Sequence, residues 1–117
     1  MKICDIQKLL NADVLTCCEN LDREVRSACG SDMMSDVLAY VKDQAVLLTG
    51  LVNMQVIRTA EMMDMICVVF VRNKVPTDEI IALAEEKGIV VMTTCERMFD
   101  ACGVLYSNGL KQGAQHE

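Results

Sequence analysis

Three short polar stretches, Thr49-Gly50, Arg72-Asn73-Lys74 and Thr93-Thr94, each follow an apolar run and lead toward a segment of helical length. In an open α/β sheet such positions are the carboxyl ends of strands. They converge on one edge, where helix N-termini present free N–H groups and a positive dipole. Hydroxyls, amides and two cations gathered there are suited to holding an anion. The candidate ligand-binding set is Thr49, Gly50, Asn53, Arg72, Asn73, Lys74, Thr93 and Thr94. A small molecule bearing phosphate fits that chemistry. The plainer alternative makes Thr93 a helix cap, Gly50 a turn residue, and Arg72 and Lys74 solvated charges.

Catalytic signatures do not accompany these residues. The six glycines form neither GxxxxGK[ST] nor GxGxxG, so ATP-driven phosphoryl transfer is not indicated. The one histidine, His116, lies in a polar tail, which excludes a His-based triad and a His-rich metal site. Seven cysteines include the adjacent Cys17-Cys18 but no CxxC spacing, so no zinc ribbon, redox pair or iron–sulfur cluster is indicated. They read as small hydrophobes, with Cys29 and Cys95 set apart because each precedes or opens a helix that could stabilise a thiolate. The expectation is a non-enzyme with no cofactor and no metal.

Composition narrows the class further. The 117 residues suit one domain, and 52% hydrophobic against 24% charged residues describe a globular chain. A net charge of −6 argues against nucleic-acid binding, which needs a basic surface. No apolar run approaches the ~20 residues of a membrane span. Lys2, Asp5 and Lys8 interrupt the first apolar pattern, so it is not a signal peptide, and a cytoplasmic protein with reduced thiols is expected.

The elements that must position the candidate residues follow from periodicity. The central stretch Ala45 to Val71 reads as strand (Ala45 to Thr49), helix (Met54 to Met63, capped by Asn53) and strand (Ile66 to Val71), the spacing of a parallel crossover. Ile66 to Val71 is apolar at every position, as a central strand covered on both faces must be. Before it lie a helix from Ile3 to Leu10, weak strands at Val14 to Cys18 and Val25 to Cys29, and a helix to about Val41 with Met34, Val37, Leu38 and Val41 buried.

Only six residues separate the two weak strands, too few for a parallel crossover, so they should pair antiparallel or one should leave the sheet. After the central strand, Pro76-Thr77 opens a helix that Gly88 stops, and Ile89 to Met92 is another strand. Thr93-x-x-Glu96 reads as a capping box for a last helix with Met98, Phe99, Cys102 and Leu105 inward, ending or bending at Gly103. The sum is an α/β three-layer α/β/α sandwich around a mostly parallel sheet of about five strands, with an antiparallel edge pair allowed. Residues 1–110 make one domain, and 111–117 a loose polar tail. Nine methionines read as core filling, with a Met-rich dimer face as the alternative.

Nearly the whole chain, Leu10 to Leu110, resembles the DRTGG domain, which is related to the N-terminal domain of HPr kinase/phosphorylase. The resemblance is carried by LDREV at Leu21 to Val25, SDMMSDVLAYV, LLTG at Leu47 to Gly50, RTAEMMD and KVPTDEIIALAEEKGIVVMTT. Where that family has an acidic-basic pair after a glycine, this chain has Leu51-Val52-Asn53. Where the family has Thr-Gly-Gly after the central strand, it has Val71-Arg72-Asn73-Lys74. The resemblance implies a stand-alone, non-catalytic regulatory or ligand-sensing module, often a homodimer, with an adenine nucleotide as candidate ligand. The alternatives are an interaction subunit whose ligand is a protein partner, and a cysteine-based redox or metal accessory protein.

Overall fold

Ile3, Ile6 and Leu10 recur at helical spacing and form the buried face of α1 (Ile3–Leu10), which Asn11 closes in the left-handed conformation. The computed structural model describes residues 1–40 and 43–111. The chain continues through β1 (Asp13–Val14), a 3-10 turn at Cys18–Asn20, β2 (Ser27–Gly30), α2 (Met34–Leu38), β3 (Ala45–Thr49), α3 (Met54–Met62), β4 (Met65–Phe70), α4 (Asp78–Lys87), β5 (Val90–Thr93) and α5 (Met98–Ser107). Val41 and the tail from 112 onward, including His116, lie outside the described residues.

One sheet runs in the order β1-β5-β4-β3-β2. Strands β2 to β5 are mutually parallel and β1 is antiparallel to β5. Every residue of β3 and β4 is buried, and alternate residues feed opposite faces. Val46, Leu48, Cys67 and Val69 join α1 and α5 in one core, while Leu47, Val68 and Phe70 join α2, α3 and α4 in the other. The expected three-layer α/β architecture is therefore the one observed.

The two weak strands are arranged differently from expectation. They neither pair with each other nor leave the sheet, but occupy its opposite edges. The intervening chain crosses the molecule by bonding to the start of α1: the Ile3 and Cys4 amides donate to Arg23 and Leu21 carbonyls at 3.1 and 2.9 Å. The first of the two strands also stops early. The buried Thr16 hydroxyl donates to the Ile89 carbonyl and accepts from the Val91 amide, both at 2.7 Å, replacing ladder bonds with side-chain bonds. Cys17 then turns away at φ 52. On the far edge the Ala28 amide of β2 donates outward to the Lys111 carbonyl at 2.9 Å.

Caps explain where the later helices begin. Asn53 and Thr77 accept from the Val56 and Ile80 amides, as expected of them, and Gly88 ends α4 at φ 72. The Thr93-x-x-Glu96 capping box does not form. Thr93 is still strand, and α5 starts five residues later at Met98 with Arg97 as its N-cap. That offset rotates the helix, so Ala101 and Leu105 are buried and Phe99 points out, 87% exposed. Gly103 neither ends nor interrupts α5. In α2, which is only five residues long, Met34 and Val37 are buried but Leu38 is exposed.

Candidate functional site

At the carboxyl edge of the sheet the chain leaves β4 through a turn in which the Lys74 amide donates to the Val71 carbonyl at 3.2 Å. Arg72 and Asn73, its two central residues, both have φ 60. Two successive left-handed residues define a type I′ turn, a shape glycine takes freely and arginine takes at a cost. The cost is met by clamping. The Arg72 amide donates to the Glu96 carbonyl at 2.8 Å, the Asn73 amide to the Thr94 carbonyl at 2.9 Å, and the Thr93 hydroxyl to the Lys74 carbonyl at 2.7 Å. The turn after β4 and the loop after β5 are thus one unit.

The Arg72 side chain lies back across Gly50. A Cβ added there would stand 2.1 Å from Nη2, so only glycine leaves room for the guanidinium. Nη2 is 3.7 Å from an Asp32 carboxylate oxygen. The other Asp32 oxygen accepts from the Gly50 amide at 2.6 Å and the Thr49 hydroxyl at 3.2 Å. Asp32 comes from the loop after β2 and ties the ends of β2, β3 and β4 together.

Sequence reasoning missed Asp32, although a signal existed. A β2 read as a parallel neighbour of β3 would have placed Ser31-Asp32 on this same edge.

The eight sequence candidates separate into two groups. The polar side chains of Thr49, Asn53, Thr93 and Thr94 are engaged internally: Thr49 accepts from the Leu51 amide, Asn53 caps α3, and the buried Thr94 hydroxyl bridges the Leu10 carbonyl and the Glu96 amide at 2.7 and 3.2 Å. Gly50 is buried beneath Arg72. Arg72, Asn73 and Lys74 are exposed.

Arg72 and Asn73 open onto a cleft of about 670 Å³ completed by Cys95, Arg97, Met98 and Phe99. Two cations line it and no carboxylate does. Two clefts elsewhere mix the signs, Asp43, Glu61 and Asp64 with Arg23 and Lys87 in one, Asp5 and Glu24 with Lys8 and Arg26 in the other, and a smaller one has Lys111 and no carboxylate. Arg97 and Phe99 escaped the sequence reading because the last helix had been started at Thr93.

Burial works against thiolate formation at four of the seven cysteines. Burial pushes Cys29 up to about 11, with smaller contributions from Cys102 and Asp36. Desolvation raises Cys67, Cys102 and Cys17 as well. The thiolate stabilisation expected at Cys29 is therefore reversed. Cys95 is exposed in the cleft and sits in a bend rather than opening a helix. Cys17, Glu19 and Glu85 bring ligand atoms within 4.8 Å of one another, but raising the Cys17 pKa disfavours the thiolate a metal requires.

A family model described as the DRTGG domain matches residues 5–106. The chain belongs to the DRTGG family. Among solved structures it is similar to the CBS and DRTGG domains of the regulatory region of Clostridium perfringens pyrophosphatase, complexed with an activator, diadenosine tetraphosphate. The TM-score is 0.73 at 18% identity, over 89% of this chain. At that identity the likeness speaks to the fold. This chain spans 45% of that neighbour. No curated protein matches the sequence. Among the described residues, no helix is long and apolar enough to cross a membrane.

Within this DRTGG chain, the place where the family's Thr-Gly-Gly was expected is the turn at Val71 to Lys74. Its two central residues, Arg72 and Asn73, hold a backbone conformation that glycine adopts freely while presenting a cation and an amide.

Proposed function

We propose that this DRTGG domain is a non-catalytic regulatory module that binds a small anionic ligand at the carboxyl edge of its sheet, with an adenine nucleotide the first class to test. The observation that carries the reading is the carboxylate-free cleft lined by Arg72 and Arg97 in a chain of net charge −6. The bond from the Arg72 amide to the Glu96 carbonyl ties together the segments that carry the two arginines, and Arg72, paired with Asp32 at 3.7 Å, keeps further N–H donors for an anion. Of the initial candidates, Arg72 and Asn73 line that cleft, and the reading gives the anion contacts to them and to the exposed Lys74 that follows. Thr49, Gly50, Asn53, Thr93 and Thr94 shape the edge from within. The diadenosine tetraphosphate of the structural neighbour supports a phosphate-rich ligand as the first to try.

A thermal-shift panel of nucleotides and phosphorylated metabolites tests this. Stabilisation by at least one at millimolar concentration is expected, and it should be lost in Arg72→Ala/Lys74→Ala. No shift by any member of the panel overturns the reading.

A second reading is favoured by a separate observation. Met33 and Leu38 of the α2 region and Met62 of α3 are large, exposed and apolar on adjoining helices. They suit a contact with a second copy of the chain or with a protein partner. Light scattering at twice 13.0 kDa is the expected result for a homodimer, and the monomer mass contradicts it.

A further inference from the structure

The cleft has one wall that anion binding does not explain. Phe99 sits on the first turn of α5, two residues after the Arg97 N-cap, and is 87% exposed, the most exposed of the large apolar side chains described. It borders two surfaces of opposite character. On one side are Arg72, Asn73, Arg97 and the thioether of Met98. On the other are the carboxylates of Glu96 and Asp100 with Gly103 and Ser107. The ring stands where a basic surface meets an acidic one, and its apolar neighbour Met98 lies on the basic side.

An inorganic anion has no use for such a wall, whereas a flat heterocycle attached to a phosphate uses both parts. Aromatic side chains stack on any nucleobase because every base has a π-face, while arginine forks match phosphate oxygens. The two halves are also fixed relative to each other. Arg72 comes from the turn after β4, Phe99 and Arg97 from the start of α5, and the Arg72 amide to Glu96 carbonyl bond at 2.8 Å joins those segments directly. Asp32 holds one side of the Arg72 guanidinium at 3.7 Å, leaving further N–H donors of the fork for a ligand.

We infer that the cleft is a nucleoside phosphate site in which Phe99 stacks on the base while Arg72 and Arg97 take the phosphate. The inference rests on the anion-binding reading above and adds the base subsite to it. Asp32, Glu96 and Asp100 do not line the cleft.

The test compares AMP with ribose 5-phosphate by calorimetry on the full chain, in the unaltered protein and in Phe99→Ala and Phe99→Trp. AMP should bind about tenfold tighter than ribose 5-phosphate, the order expected of one base stacked on an aromatic ring. Phe99→Ala should remove that advantage while leaving ribose 5-phosphate affinity unchanged, and Phe99→Trp should keep it. Because the ring is exposed, neither substitution disturbs the core.

Equal affinity for the two probes, or an AMP preference that survives Phe99→Ala, overturns the base subsite and leaves the anion reading standing. Failure of both probes to bind overturns the two together. A Phe99→Ala chain that loses self-association in light scattering but keeps its AMP preference assigns the ring to a protein contact instead, and also overturns the inference.

Discussion

Arg72 carries opposing demands on a single residue. Its φ of 60 costs a non-glycine residue about 1–2 kcal/mol, and its pair with Asp32, half exposed on both sides, returns less than that. Arg72→Gly should therefore leave stability unchanged or raise it by up to about 1 kcal/mol in urea melts, after allowing for the extra freedom glycine gives the unfolded chain. Asn73→Gly should do less, since asparagine tolerates this conformation. Anion binding should fall in Arg72→Gly, so stability and affinity move in opposite directions. A large destabilisation would show that the arginine is there for the fold.

The thiols make a second residue-scale case. Cys29 titrates near 11 in the folded chain against an ordinary value of 9.0, so from pH 9 upward the unfolded chain releases a proton that the folded chain keeps. The stabilising contribution is intact below that window and is lost as pH rises through it. Urea midpoints should drop between pH 9 and pH 11, and the drop should be shallower in Cys29→Ala. Exposed Cys18 and Cys95 should be the first to react with a thiol reagent, well ahead of buried Cys67.

At the scale of elements, the unit formed by the β4 turn and the β5 loop depends on Thr94. Its hydroxyl is 3% exposed and joins the end of α1 to the bend before α5. Thr94→Val removes both bonds and leaves a buried carbonyl and amide unmatched, which should cost about 2–3 kcal/mol by thermal or urea denaturation. Thr93→Val, with one bond to lose at a more exposed place, should cost under about 1 kcal/mol.

These elements also show what the sequence could and could not reveal. Apolar continuity identified β3 and β4, and local caps at Asn53, Thr77 and Gly88 identified α3 and α4, because each signal lies within a few residues. The capping box read at Thr93 does not form because Thr93 is still paired in β5 and its hydroxyl is spent on the Lys74 carbonyl, 19 residues away, which no local pattern records. That misreading hid Arg97 and Phe99. The paired left-handed residues at Arg72-Asn73 were equally silent, since neither side chain announces a positive φ.

Across the whole molecule, charge and apolar surface are distributed unevenly. An acidic chain concentrates two arginines in one cleft on the ligand edge of the sheet, while its exposed methionines lie on α2 and α3. The proposed ligand site and the proposed protein contact thus draw on different elements of the fold.

The outward bond from Ala28 to Lys111 bears on how the molecule behaves in company. Parallel edge strands such as β2 offer a ready-made rung to any extended chain that drifts by. Here the chain's own return past the buried Leu110 occupies that rung. The segment at Leu110-Lys111 is therefore a guard against unwanted polymerisation as much as a piece of packing. A chain ending at Gly109 should run as larger, concentration-dependent species in size-exclusion chromatography, whereas one ending at Lys111 should elute as the full-length protein does. If both elute alike, the edge needs no guard.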